Sequence, residues 1–152
     1  MILNWNIPFL AKLLPNAYFI HIIRDIRFNA QSLLVSRKNF FGDTKEWYSF
    51  KPPEYPGLSG LTPEEQVVHQ VNYTNLAIKK GISSLLPEKV ITIKYEELCE
   101  TPEDTLKKIV NQVLSKSTPH EEQFQGQLTN GNKVALPFAT WDKIEHVANQ
   151  LM

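Results

Sequence analysis

The segment Tyr18-Phe19-Ile20-His21-Ile22-Ile23, running into Arg24-Asp25-Ile26-Arg27, decides the fold. Apart from His21 its first six residues are apolar or aromatic, and three of them are β-branched. Such a run suits a strand buried on both faces, hence a parallel sheet with helices on each side. Pro15-Asn16 introduces it. Downstream, over residues 28–37, Ala30, Leu33 and Leu34 supply the i, i+3, i+4 stripe of a helix. Strand, short polar turn and helix form the local unit of an α/β protein, and the helix amino terminus can meet an anion. Upstream, Phe9, Leu10, Leu13 and Leu14 have helical spacing on a short segment that Pro15 stops.

Further out, residues 40–61 hold Trp47, Tyr48, Phe50 and Tyr55 among Pro52, Pro53, Pro56, Gly57 and Gly60. This is a long irregular connection, either pinned by its own aromatics or functional. Thr62-Pro63-Glu64-Glu65 predicts a capped helix start. The helix carries Val67, Val68, Val71, Leu76 and Ile78 towards Gly81 and ends before Pro87. Residues 90–95 form the second expected strand, and Thr101-Pro102-Glu103-Asp104 predicts another capped start, with Leu106, Ile109, Val110 and Val113 inward. Asn130-Gly131 predicts a turn. Trp141, Ile144, Val147, Ala148 and Leu151 mark a last amphipathic helix. Two strong strands with four or five helices make a poor parallel sheet, because two strands rarely stand alone. The pattern is that of part of a larger α/β domain.

At 152 residues the chain holds one domain, residues 1–152. Lys+Arg and Asp+Glu both number 16, and hydrophobic and charged residues make up 42% and 21%. This mixture excludes a disordered tail, a collagen-like rod and a disulfide scaffold. Zero net charge argues against a nucleic-acid partner, which leaves a basic excess. Cys99 is the single cysteine and has no internal partner. Asn4, Asn6, Pro8 and Lys12 break the apolar start, and no run approaches the roughly 18 apolar residues of a membrane span. The expectation is a cytoplasmic protein without a membrane partner.

For chemistry, the strongest pair is Arg24 at the carboxyl end of the first strand and Ser32 eight residues on. A guanidinium and a hydroxyl so placed can clamp one phosphate, with forked charged donors and a neutral one. The alternative is a structural ion pair or cap formed by Arg24-Asp25. His21, His69, His120 and His146 show no metal-ligand spacing, and no metal is expected. His21 suits a core imidazole, His120-Glu121-Glu122 a solvated surface, and Cys99 a small buried hydrophobe.

The string from Leu14 to Arg27, with Ser32, resembles the 3′-phosphate-binding segment of sulfotransferases that use 3′-phosphoadenylyl sulfate (PAPS). That family writes it "FPdAkFIhivRDPRd…S", with the same Arg-to-Ser spacing. Lys89-Val90-Ile91-Thr92-Ile93-Lys94-Tyr95-Glu96-Glu97-Leu98, then Thr101-Pro102-Glu103, is similar to the family's "rvlvvrYEdL…dPeetl". The resemblance covers roughly residues 7–115. It implies an α/β, three-layer, P-loop-like sulfotransferase fold, incomplete in this chain, with parallel strands near 18–23 and 89–95 and flanking helices.

By the same resemblance, Arg24 and Ser32 hold the 3′-phosphate of PAPS or its product PAP, Tyr95 lies near the adenine, and Arg27 is a lesser phosphate ligand. For Tyr95 the alternative is an aromatic side chain turned into the core. Asn130-Gly131-Asn132-Lys133 stands where the family has a basic, Gly-containing loop, which makes Lys133 a further candidate. Ile26 replaces the Pro of "RDPR" and removes no donor. The family's "GxPRSGTT" loop for the 5′-phosphosulfate, with its catalytic base, has no counterpart in these residues, and the chain is expected to begin just after it. The implied reaction transfers the sulfuryl group of PAPS to the hydroxyl or amine of a small-molecule or carbohydrate acceptor, weakly or not at all in this chain alone. The rival expectation is a non-catalytic remnant that has lost function, or an interaction module whose sheet is completed by a partner chain or by self-association.

Overall fold

The computed structural model describes residues 2–114 and 126–151; His120 lies outside them. Two parallel strands, β1 (Phe19–Ile23) and β2 (Val90–Lys94), pair in register from Phe19 opposite Val90 to Ile23 opposite Lys94. Around them run α1 (Ile7–Leu13), α2 (Ile26–Phe41), the short α3 (Tyr55–Leu58), α4 (Pro63–Ile82), α5 (Tyr95–Glu100), α6 (Pro102–Val113) and α7 (Phe138–Leu151). The arrangement is a two-stranded parallel sheet flanked by helices, an incomplete α/β fold of the expected kind. None of the described helices is long and apolar enough to cross a membrane.

Local chemistry accounts for most boundaries. Asp25 caps α2, its carboxylate accepting from the Arg27 backbone N–H at 2.8 Å. At the other end Gly42 takes the left-handed conformation (φ +73°) and its N–H closes on the Lys38 carbonyl. Thr62 and Glu65 form the reciprocal capping box that their spacing predicts. Thr101 does not act the same way. α5 runs directly into it, and its hydroxyl donates to the Glu97 carbonyl at 3.2 Å rather than capping α6. Asn130-Gly131 does turn the chain, through a side chain: the Asn130 side-chain oxygen accepts from the Asn132 N–H at 2.9 Å, and the Lys133 N–H reaches the Gly131 carbonyl.

The main core lies between helices. Ala30 and Leu34 of α2, Val67, Val68 and Val71 of α4, and Ile144, Val147 and Ala148 of α7 form one buried cluster. A fully buried aliphatic side chain contributes about 1.5–3 kcal/mol, so this cluster anchors the helix on which Ser32 rides. α1 packs against α4 so closely that a Cβ on Gly81 would sit 2.9 Å from the Ile7 Cβ.

The sheet departs from the expectation of strands buried on both faces. In β2, Ile91 and Ile93 are 1% and 2% exposed, whereas their neighbours across the ladder, Ile20 and Ile22, are 49% and 50% exposed. α5 and α6 pack on β2, and Gln112 of α6 donates to the Val90 carbonyl. Among the described residues nothing equivalent covers β1. Its open side borders an apolar groove of about 420 Å³ lined by Leu10, Ile20, Ile22, Ile78 and Ile82. His21, which also borders this groove, is buried, and desolvation with the nearby Lys79 charge holds its imidazole below the usual pKa. Cys99 is half-buried.

The connection from Gly42 to Leu61 is ordered by two means. Its aromatics pack as expected, with Trp47 edge-on to Tyr55 at 4.6 Å and Phe50 against Trp5 at 4.6 Å. A buried polar set does the rest. Arg37, fully buried, donates to Gln66 Oε1 (2.8 Å), Gln70 Oε1 (3.4 Å) and the Thr44 carbonyl (3.3 Å). The two glutamines donate onward to the carbonyls of Leu58, Leu61, Tyr48 and Phe50. Desolvation pulls the Arg37 guanidinium down to about 10.

Candidate functional site

The parallel register builds the site. Ile23 and Lys94 are paired at the carboxyl ends of β1 and β2, so the next residues, Arg24 and Tyr95, emerge side by side. The Arg24 guanidinium carbon lies 4.7 Å from the Tyr95 ring centroid. Asp25 then starts α2, which carries Ser32 back past the strand end on its second turn. Arg24 Nη1 is 3.4 Å from Ser32 Oγ, whose own hydroxyl donates to the Phe28 carbonyl at 2.9 Å.

A third element closes on this pair from far along the chain. Arg24 Nε donates to Asn132 Oδ1 at 2.8 Å and Nη2 to the Gly131 carbonyl at 3.3 Å. The Tyr95 hydroxyl accepts from the Gly131 N–H at 3.0 Å and donates to the Thr129 carbonyl at 3.4 Å. Asn132 passes the contact on, donating to Glu96 Oε1 at 2.5 Å. Arg24, Ser32 and Tyr95 are therefore brought together, with residues 129–132 as the fourth wall.

The other two sequence candidates are placed differently. Arg27 is gripped by carboxylates: Asp25 at 2.6 Å and Glu145 of α7 at 3.0 Å. The bond to Asp25 raises the Arg27 pKa above its ordinary value, and the same bond, against the opposing effect of burial, holds the Asp25 carboxyl below the usual range. Lys133 contributes its backbone, the N–H reaching the Gly131 carbonyl at 2.9 Å, while its side chain is exposed. Asp25 is thus the cap of α2 and the close ion-pair partner of Arg27, and it meets the Arg24 charge only beyond ion-pair distance.

Electrostatics set Arg24 apart. Among the described residues no carboxylate lies within ion-pair distance of it. Its acceptors are an amide, a hydroxyl and a carbonyl, all neutral, and two of the bonds are longer than 3.2 Å. An anion presented to Nη1 and Nη2 would gain charge-assisted bonds near 2.8 Å, which outmatch such contacts. Arg24 is partly open to solvent and Ser32 is exposed. The 420 Å³ groove beside β1, and another of about 510 Å³ bordered by Pro8, Phe19 and Leu86, do not include Arg24. No group of three or more His, Cys, Asp or Glu among the described residues is arranged to hold a metal ion.

Two contributors escaped the sequence reading. Asn132 lay within the candidate loop, but its role as a bridge from Arg24 to Glu96 had no local signal. Gln31 had one: it is a glutamine next to Ala30 on the inward side of α2, and it is 5% exposed.

The pattern of a strand ending in Arg, a capped helix carrying Ser, and a second strand ending in Tyr-Glu-Glu-Leu is matched at the family level. The model of the Sulfotransferase family matches residues 3–113, which include Arg24, Ser32 and Tyr95. No curated protein and no solved structure matches the chain. With most of its length so matched, and with both quoted motifs at the ends of paired parallel strands, the chain belongs to the sulfotransferase family.

Proposed function

We propose that the chain binds the 3′-phosphate end of PAPS or PAP, with Arg24 as the principal ligand and Ser32 as a neutral second donor. The observation that carries this reading is the Arg24 guanidinium: charged, half-buried, stacked on Tyr95, and bonded to neutral acceptors alone. Tyr95 offers its ring near the adenine. Arg27 acts through Asp25, fixing the carboxylate that caps α2, and Lys133 supplies a further positive charge at the rim.

PAPS supplies the sulfuryl group, which an acceptor hydroxyl or amine of a small molecule or carbohydrate attacks in line, with PAP as leaving group. Catalysis of this kind rests on positioning and charge stabilisation. The described residues serve the first of these by holding the far end of the donor; the sequence contains no Gly-rich basic loop for the transferring end. Calorimetry with millimolar PAP tests the reading. Heat of binding that Arg24→Ala abolishes and Ser32→Ala reduces is expected; a folded sample giving no heat would sink it.

A second reading concerns assembly, and the half-exposed Ile20 and Ile22 beside the apolar groove favour it. In it the β1 edge takes up an added strand, from a partner chain or a second copy. Sedimentation of the purified chain separates the two sources. Self-association that Ile22→Lys removes identifies a second copy, whereas a monomer at every concentration leaves the partner chain.

A further inference from the structure

Gln31 lies one residue before Ser32 and is buried on the inner side of α2. Its amide spends both ends on one backbone segment more than a hundred residues away. Nε2 donates to the Lys133 carbonyl at 2.8 Å, and Oε1 accepts from the Ala135 N–H at 2.8 Å. Residues two apart are engaged, one through C=O and the other through N–H, which is how a neighbouring strand would engage them. The same segment delivers Asn132 and Gly131 to Arg24, and Gly131 to Tyr95. Gln31 touches none of the groups that face the proposed phosphate. It fixes the backbone that aims them.

We infer that Gln31 is a positioning residue: by clamping residues 133–135 to α2 it holds Asn132 against Arg24 Nε and so orients the guanidinium for the donor phosphate. The inference rests on the donor-binding reading above for its ligand, but not for its geometry. The Arg24 Nε–H is already spent on Asn132, so the two Nη groups are the ones turned towards Ser32 and Gly131. Loss of the clamp would let residues 129–135 move as a unit and leave the guanidinium to rotate. A buried amide with both ends satisfied is costly to replace, because an apolar substitute strands a carbonyl and an N–H.

The test uses the full chain with Gln31→Leu, and Gln31→Glu as the conservative variant that keeps the acceptor for Ala135. Three readouts are followed: amide exchange at Ala135 and Gly131, the Arg24 Nε–H signal by NMR, and the dissociation constant for PAP. For Gln31→Leu we expect exchange at both amides to rise about tenfold or more, the Nε–H signal to broaden or shift, and PAP affinity to fall about tenfold, in keeping with the loss of two hydrogen bonds. Exchange in α4 should stay at the wild-type rate. Gln31→Glu should keep Ala135 slow while the Lys133 side of the clamp loosens. An unchanged Arg24 Nε–H signal in Gln31→Leu overturns the inference, as does unchanged PAP affinity despite faster exchange. Should Gln31→Leu lose protection in α4 as well, Gln31→Glu decides by the same readouts: an Nε–H signal and affinity equal to wild type overturn it, and a change in both sustains it. Wild-type protein that binds no PAP defeats the donor reading instead, and the NMR and exchange results then judge the clamp alone.

Discussion

The two ends of α2 each place an arginine over an aromatic ring, and the settings are opposites. Arg24, just before the helix, lies over Tyr95 at 4.7 Å, and Arg37, near its end, lies over Trp47 at 4.6 Å. Both donate to neutral oxygens, and among the described residues neither has a carboxylate in ion-pair range. Arg37 is fully buried, its charged form so desolvated that its pKa falls to about 10, and it holds the 43–61 connection to α4. Arg24 is half-buried, and two of its three hydrogen bonds are longer than 3.2 Å. The same side chain with the same kind of partners is a rivet where water is excluded, and keeps donors free for the proposed phosphate where they still face solvent. Burial, not residue type, separates them.

The comparison breaks first at Arg37. Arg37→Ala should cost about 3–5 kcal/mol in urea unfolding, because it leaves a cavity and strands the acceptors of Gln66, Gln70 and Thr44. A loss under about 1 kcal/mol would mean the loop network is not coupled to the core. Arg24→Ala should do the reverse. PAP affinity is expected to fall by at least about 2 kcal/mol, roughly thirtyfold, with stability within about 1 kcal/mol of wild type. Equal losses of stability in both variants would erase the distinction.

Between the two lies Asp25, which caps the helix at its Arg24 end. Asp25→Asn should cost about 1 kcal/mol at neutral pH, measured by thermal unfolding. Its pKa is lowered in the fold by Arg27, so the folded state binds the proton less readily than the unfolded chain. The stabilisation is therefore complete above the unfolded value of about 3.9 and is lost as pH falls through the folded value. Below that range the wild type and Asp25→Asn should converge; a gap that persists in acid would show that charge is not its source. The smallest expected effect is at Ser32. Ser32→Ala should weaken PAP binding by about 1 kcal/mol or less and leave stability unchanged, since its hydroxyl is exposed and otherwise serves only the Phe28 carbonyl.

Features within about ten residues of one another were legible in the sequence. The Arg24-to-Ser32 spacing, the Asp25 cap and the Thr62–Glu65 box depend on one strand end or one helix turn, where backbone geometry leaves little choice. Thr101 shows the limit of that legibility: the same Thr-Pro-Glu string fails as a cap because the preceding α5 offers its hydroxyl a carbonyl first. The β1 segment was legible as a strand but not in its burial, because exposure depends on what lies beside a strand and not on the strand.

Periodicity and short-range spacing specify the two strands, the amphipathic helices around them, and the pairing of Arg24 with Ser32. Packing between distant elements settles that Arg27 is held by Glu145, that Gln31 and Asn132 bring residues 129–135 to Arg24, and that Arg37 rather than Arg24 is buried. Each of those facts joins residues far apart in the chain or depends on the solvent each one retains. A local pattern carries no information on either, because long-range contact and burial are fixed only when separate elements pack.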